Sequence, residues 1–323
     1  MLTRKLKYFH FLLSVYGLGR GTTTCCWSGP AVTNLSELED PSAAGCYPLD
    51  FSRDDHPGLL ADRDGVPIID YANLGHQYNP WFVGHVALGR YTLWRREGVP
   101  EHLARFRKLA DWLVTTAVPC QAGVKWLYHF DWFGAPSPWF SGLSQAHAIS
   151  VLVRAAHVFQ EGRYAQMAQR ATDLMIAPLD AGGTAWTHSD GTVSLEEAPS
   201  SSPGSVLNGH LFSVFALREA ARFFADQRYE RVLAEAIRFV AGRIDLYDLG
   251  YWTRYSLQSL PLGLPDIASV HYHDVHIAQF RVLEAISGQR IFGQAADRFQ
   301  TYQGAAGAVR KSLWVKRIAK LFR

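Results

Sequence analysis

Three stretches of the chain, residues 116–140, 177–206 and 244–273, gather aromatic rings beside carboxylates and imidazoles. The first holds Trp126, Tyr128, His129, Asp131, Trp132 and Trp139. The second holds Trp186, His188, Asp190, Glu196 and Glu197, and the third Tyr247, Asp248, Tyr251, Trp252, Arg254, Tyr255, His271, Tyr272 and His273. Such mixtures suit a sugar, whose C–H face packs on a ring while its hydroxyls need polar partners. Large aromatics filling a helical core are the plain alternative. The spacing His271-x-His273-x-x-His276 puts two imidazoles on one helix face. No carboxylate motif completes a set of ligands, so no metal is expected. The chain has no Gly-rich phosphate loop, no G-x-S-x-G elbow and no nucleotide fingerprint, and no cofactor is expected.

The elements that must position these residues repeat along the chain. At Glu97-Gly98, Glu161-Gly162, Ala225-Asp226 and Ser287-Gly288 a helical pattern breaks at a short polar turn and resumes, at intervals of 64, 64 and 62 residues. Each turn follows an apolar helix and precedes an amphipathic one. The spacing predicts helices from Asn79-Pro80 to Trp94 and Pro100 to Thr115, then Ser141 to Phe159 and Tyr164 to Ile176. It further predicts Leu207 to Phe224 and Tyr229 to Arg243, then Asp274 to Ile286 and Ile291 to Tyr302. A helical hairpin cannot bury its apolar face alone, so such repeats stack. The expected fold is all-α, an α/α toroid of four hairpins, with its long aromatic-rich connections forming a cleft at one end. Connections this long are functional or disordered, and aromatic-rich ones are poor candidates for disorder.

Composition agrees with a folded body. Of 323 residues, 48% are hydrophobic and 13% aromatic, with ten Trp and fourteen Tyr, which excludes a disordered chain. Residues 1–65 read as an irregular lead-in, 66–304 as the toroid and 305–323 as a basic tail. Net charge is +3, but the last fourteen residues carry six basic and no acidic side chains, leaving the remainder at −3. In that tail Leu313, Trp314, Val315, Ile318, Leu321 and Phe322 alternate with basic residues at roughly helical spacing. It reads either as an interfacial helix for anionic lipid or as the solvated end of the last helix. A mildly acidic body without a binding motif argues against nucleic acid. The run Phe9 to Val15 after Lys5 and Lys7 resembles a short signal start, yet His10 interrupts it and it is too short to span a bilayer. Cys25, Cys26, Cys46 and Cys120 show no metal or redox spacing, and a reducing compartment is expected. The location expected is cytoplasmic, extending to the inner membrane surface, with a homodimer as the assembly to test.

The stretch Trp139-Phe-Ser-Gly-Leu-Ser-Gln-Ala-His-Ala-Ile-Ser-Val-Leu-Val-Arg154-Ala resembles a signature of the C-terminal domain of D-glucuronyl C5-epimerases. That family makes iduronate from glucuronate within heparan sulfate or heparosan chains. Similar segments are Glu196-Glu-Ala-Pro-Ser with Val206-Leu-Asn-Gly209, Tyr247-Asp-Leu-Gly250 with Tyr255, and Tyr272-His-Asp-Val-His276-Ile-Ala-Gln279. The helix from Asn79-Pro80 to Tyr91 is similar to a fifth. The matches are collinear from about residue 66 to 302. The resemblance implies an α/α toroid, a uronate-containing polysaccharide as partner, and catalysis by Glu197, Tyr255 and Tyr272. Ala198 stands where the family often has Tyr. The β-rich domain that precedes the toroid in the animal enzymes has no counterpart expected here.

Epimerising a uronate at C5 removes a proton next to a carboxylate and returns it on the opposite face. Two acid/base groups must flank the sugar, and a cation or donor must stabilise the aci-carboxylate. A tyrosine serves as a base only if positive charge lowers its pKa from about 10. Arg254 beside Tyr255, and His271 and His273 beside Tyr272, are expected to supply that charge. Gln145 and His147 open the second inner helix, and Asn208 and His210 the third. With Trp139, Arg254, His273 and His276 they are candidates for sugar contacts, helix-end polar residues satisfied within the fold being the alternative. A polysaccharide lyase shares the first proton abstraction, and a glycan-binding protein that has lost a base would keep the cleft.

Overall fold

The computed structural model describes residues 31–33, 35–39, 44–54, 58–71, 74–132, 135–200 and 203–321. Four antiparallel helical hairpins dominate it: α1 (Pro80–Glu97) with α2 (Pro100–Thr116), and α3 (Gly142–Phe159) with α4 (Gly162–Ile176). Then come α5 (Leu207–Phe224) with α6 (Gln227–Ala241), and α7 (Val270–Ser287) with α8 (Arg290–Gln303). The first member of each pair is an inner helix of 18 residues, buried on nearly every side. The outer helices bury one stripe; in α4 this is Tyr164, Ala168, Ala171, Leu174 and Met175. Side chains of Asn79, Ser141 and Ser269 accept from backbone N–H groups in the first turns of α1, α3 and α7. Each inner helix ends on a left-handed residue, namely Gly98, Gln160, Ala225 and Gly288.

The capping explains one boundary that differs from the expected one. Helix α7 begins at Val270 rather than Asp274, because the Ser269 hydroxyl accepts from the Tyr272 N–H at 3.2 Å. Tyr272 therefore lies on the first turn of an inner helix, not in a loop.

Neighbouring inner helices run in the same direction. His85 and His147, each six residues beyond its helix cap, stack with centroids 6.1 Å apart. Arg154 and Glu219, each thirteen beyond, form a buried two-pronged ion pair at 2.9 and 2.7 Å. Parallel inner helices put the tight turns at one end and the long connections at the other.

The connections carry antiparallel strands. Strand β1 (Ala31–Val32) pairs with β2 (Leu49–Asp50), and β3 (Ile69–Tyr71) with β4 (Gly75–Gln77). Within the long connections, β5 (Val118–Cys120) pairs with β6 (Gly123–Lys125), β7 (Ala185–Thr187) with β8 (Val193–Leu195), and β9 (Arg254–Ser259) with β10 (Pro265–Ile267). A repeated clamp ties each long connection to its hairpin. The fourth residue past the caps of α3, α5 and α7 is Gln145, His210 and His273. Each donates to the outer-helix carbonyl 26 residues on, at Ala171, Ala236 and Phe299. The same three side chains hold the preceding connection through Val124 O, Leu195 N–H and the Thr253 hydroxyl.

Residues 44–54, placed in the lead-in by sequence, fill the centre of the ring. Tyr47, Leu49 and Phe51 are fully buried in the main core. The Phe51 ring stacks on His85 at 3.8 Å and on His147 at 5.8 Å. Gly89 lets α1 approach this segment, since a Cβ there would strike the Phe51 carbonyl. Arg218 and Arg222 of α5 donate to the Leu38 carbonyl, and residues 31–39 lie along α7. This part of the core was invisible to a periodicity reading because it contains no regular helix.

The last helix, α9 (Ala306–Leu321), docks on the third connection. Ala308, Val309 and Val315 pack on the cluster of Trp252, Ile267 and Ala268, and Lys316 Nζ donates to the Ile267 carbonyl at 2.8 Å. The first eight positions of the tail's predicted pattern thus include a docked face rather than a free amphipathic helix. Trp314 and Ile318 lie on the outward side, 63% and 39% exposed. No helix among the described residues is long and apolar enough to cross a membrane. The Phe9 to Val15 run, with Cys25 and Cys26, lies outside the described residues.

Candidate active site

Two adjacent glutamates after β8 take opposite roles. Glu196 turns inward, and its carboxylate accepts from Ser194 Oγ at 2.6 Å and from the N–H groups of Gly204 and Ser205 at 2.9 and 2.8 Å. It is a satisfied group that pins the loop. Glu197 then points the other way, toward the N-terminal ends of the inner helices. Its backbone carbonyl accepts from Gly142 N–H at 2.9 Å. Its carboxylate lies against Gly209, where any Cβ would collide with it. Asn208 Nδ2 donates to Oε2 at 3.4 Å, and the Tyr255 hydroxyl donates to Oε1 at 3.3 Å. Burial, with the nearby Glu196 charge, raises the Glu197 carboxyl to about 7, although the Tyr255 and Asn208 hydrogen bonds oppose the shift.

Tyr255 comes from β9 and Tyr272 from the first turn of α7; their ring centroids are 4.9 Å apart. The toroid thus brings Glu197, Tyr255 and Tyr272 from three segments into one contact cluster, with Tyr255 between the other two. Asn208 joins them through its carboxylate contact, and its backbone carbonyl is held by Gln279 Nε2 at 3.0 Å.

The expected positive charge is not delivered by the histidines. Burial holds His271 and His273 down near 4, so both are neutral at physiological pH. The Tyr255 phenol is pushed well above its ordinary 10 by burial and then by the Glu197 charge. Tyr255 is accordingly a neutral donor, and the titratable group of the pocket near pH 7 is Glu197. Arg254 heads β9 partly buried, with its Nε shielded from water and unbonded among the described residues.

Several expected sugar contacts are instead parts of the scaffold. Gln145 and His273 are the clamp residues described above, fully buried with their donors on backbone carbonyls. The Thr253 hydroxyl lies 2.9 Å from His273 Nδ1 and 3.0 Å from His276 Nδ1. With His273 Nε2–H on Phe299, Thr253 donates to His273 and accepts from His276. This bonding accounts for the His-rich spacing, and no three metal-ligating side chains gather among the described residues. His147 is sealed in the central bore, its Nδ1–H donating to the Leu143 carbonyl at 3.1 Å. Trp139 is half-buried, stacked on Tyr128 at 4.0 Å with its N–H on the Phe130 carbonyl.

Other residues around the pocket were not singled out as a site by sequence. Tyr128 OH donates to Asn79 Oδ1 at 3.2 Å, and Asn79 Nδ2 donates to the Tyr71 hydroxyl at 2.7 Å. Burial raises the Tyr128 phenol, and the Glu197 charge adds to the rise, which puts the two within electrostatic reach. Asp54 and His85 form a buried pair at 2.8 Å, and both influence His271. The sequence signals for the first group were the place of Tyr128 in the aromatic-rich first connection and the capping of α1 by Asn79, at the position equivalent to Ser141 and Ser269.

A carboxyl that burial raises to about 7 thus lies with two phenols at the end of the α/α toroid that carries the long connections. The sequence profile of the D-glucuronyl C5-epimerase C-terminus matches residues 121–301, more than half of the chain, and the chain belongs to that family. The D-glucuronyl C5-epimerase of Caenorhabditis elegans is 28% identical over 241 residues, covering 68% of this chain and 38% of that protein. The chain therefore spans well under half the length of this relative. Among solved structures, a GH76 alpha-mannanase of Bacteroides thetaiotaomicron superposes with TM-score 0.50 at 10% identity, over 76% of this chain and 62% of that one. An endo-beta-1,4-glucanase from Acetobacter xylinum gives TM-score 0.45 at 15% identity, over 77% and 73%. The alpha-mannanase likeness concerns the fold alone.

Proposed function

We propose that the chain is a polysaccharide uronate C5-epimerase that interconverts glucuronate and iduronate within a polymer. The observation that carries this is Glu197, a carboxyl raised to about 7 by burial and clustered with two tyrosines. Such a group is half ionised at neutral pH, so it can accept the C5 proton and return one with little driving-force penalty. Glu197 serves one face of the sugar and Tyr272 the other. Tyr255 stays protonated, donates to Glu197 and offers its dipole to the aci-carboxylate. Asn208 holds the second Glu197 oxygen, which aims the carboxylate. Two groups separated by the substrate, rather than bonded to each other, are what exchange on opposite faces requires.

Glu197→Gln and Tyr272→Phe test this. Each should bind a glucuronate polymer as the parent does while losing C5 hydrogen exchange by roughly 10²–10⁴-fold. Weakened binding with unchanged turnover would make Tyr272 a stacking residue and remove the second acid.

A finer part of the reading concerns place. The outward face of α9, with Trp314, Ile318, Arg310 and Arg317, has the chemistry to rest on anionic lipid at a cytoplasmic membrane surface. Its inward face is docked beside β10, so contact with the membrane would place the site close to a polymer at that surface.

A further inference from the structure

A cavity of about 410 Å³ lies near the Glu197 backbone, lined by Phe140, Leu179, Asp180, Gly182, Gly183, Trp186, Pro199 and Ser200. We propose that it is a subsite for the sugar next to the reacting uronate in a glycan chain; this rests on the reading of Glu197 above. The cavity is of ligand size, and its walls come from three segments meeting at Glu197. Pro199 follows Glu197 by two residues, so their Cα atoms are at most about 7 Å apart. Phe140 precedes Gly142 by two, and Gly142 N–H is bonded to the Glu197 carbonyl.

The lining has the parts a sugar needs. Trp186 stands on β7 across from Ser194, and its neighbour Ala185 points into the core while the indole is 39% exposed. An exposed indole and a half-buried phenyl facing one cavity give stacking surfaces for C–H faces. Gly182, in the left-handed region at φ 80°, leaves open space where a side chain would project. The Asp180 carboxylate suits accepted hydroxyls and opposes a second carboxylate, so the sugar seated there is an uncharged one. Lys125 Nζ lies 5.1 Å from the Phe140 ring centroid and makes no ion pair among the described residues. It adds a cation at the Phe140 wall, for a carboxylate elsewhere on the bound chain.

Uronate oligosaccharides of different lengths test the subsite. With glucuronic acid and a glucuronate-containing decasaccharide as probes, Trp186→Ala should weaken binding of the decasaccharide by about tenfold, the loss of one buried aromatic face. Glucuronic acid, which fills only the reacting position, should lose nothing, and Trp186→Phe, which keeps a flat apolar ring, should restore most of the decasaccharide affinity. Lys125→Gln should flatten the salt dependence of decasaccharide binding. Equal affinity of Trp186→Ala and the parent for the decasaccharide would overturn the subsite. The two readings fail separately. If the parent shows no C5 exchange yet Trp186→Ala loses decasaccharide affinity, the epimerase reading falls and the subsite stands. If exchange is present but no length dependence responds to Trp186, the reverse holds.

Discussion

Replacing Glu197 by glutamine should make the protein more stable at alkaline pH, even as it removes the proposed base. In the fold the carboxyl is held at about 7 against an ordinary 4.5, so the unfolded chain ionises first as pH rises. The folded state binds more protons than the unfolded one between those values, and stability falls across that window. Once both states are ionised the penalty approaches about 3 kcal/mol. Below pH 4 both are protonated and the penalty vanishes. Glutamine keeps the shape and a carbonyl for Tyr255 but carries no charge to desolvate. Some hydrogen-bond strength is lost, since acceptors that are charged bond more strongly than neutral ones. The expected net gain is therefore about 1–3 kcal/mol at pH 8 and near zero at pH 4. Urea unfolding followed by circular dichroism at both pH values measures it, with a matching rise in Tm of roughly 2–4 °C per kcal/mol. A variant destabilised at pH 8, or stabilised equally at both pH values, would show that Glu197 is not a buried carboxyl under strain, and the argument for its catalytic pKa would fail.

Three further outcomes follow from the architecture. Arg154→Met should cost about 3–5 kcal/mol by stranding the buried Glu219 carboxylate, and adding Glu219→Leu should recover most of it in denaturant titrations. Phe51→Ala should cost about 3–5 kcal/mol although it lies outside every helix; a loss under about 1 kcal/mol would remove residues 44–54 from the core. Changing Trp314 and Ile318 to Ala together should abolish sedimentation with anionic vesicles while leaving the circular dichroism spectrum unchanged. Unchanged vesicle binding would leave α9 as a docked solvated helix.

The toroid was legible because its signal is local. Apolar and amphipathic helices of similar length recur at a near-constant interval, and the turn residues mark each break. The meeting of the long connections followed from the same repeat, since they must gather at the end opposite the turns. The roles of individual polar residues were less legible. Gln145, His210 and His273 look like sugar ligands when read singly, but their common register, four past each helix cap, marks them as the clamp. Positive charge beside the tyrosines was expected from residue type, whereas burial decides the protonation of His271 and His273. Residues 44–54 have no periodicity to read, and their place in the bore depends on long-range packing against His85 and His147. Glu196 and Glu197 are adjacent and identical in type; only the backbone N–H groups of Gly204 and Ser205 separate the structural one from the candidate base.

The most direct test of the central claim is incubation of the protein with a glucuronate polymer in heavy water, read by nuclear magnetic resonance and ultraviolet absorbance. Deuterium should appear at C5 of both glucuronate and iduronate units, with chain length unchanged and exchange lost in Glu197→Gln. Unsaturated, ultraviolet-absorbing chain ends would instead show elimination, and a bound polymer with no deuterium at C5 would contradict proton transfer at this site.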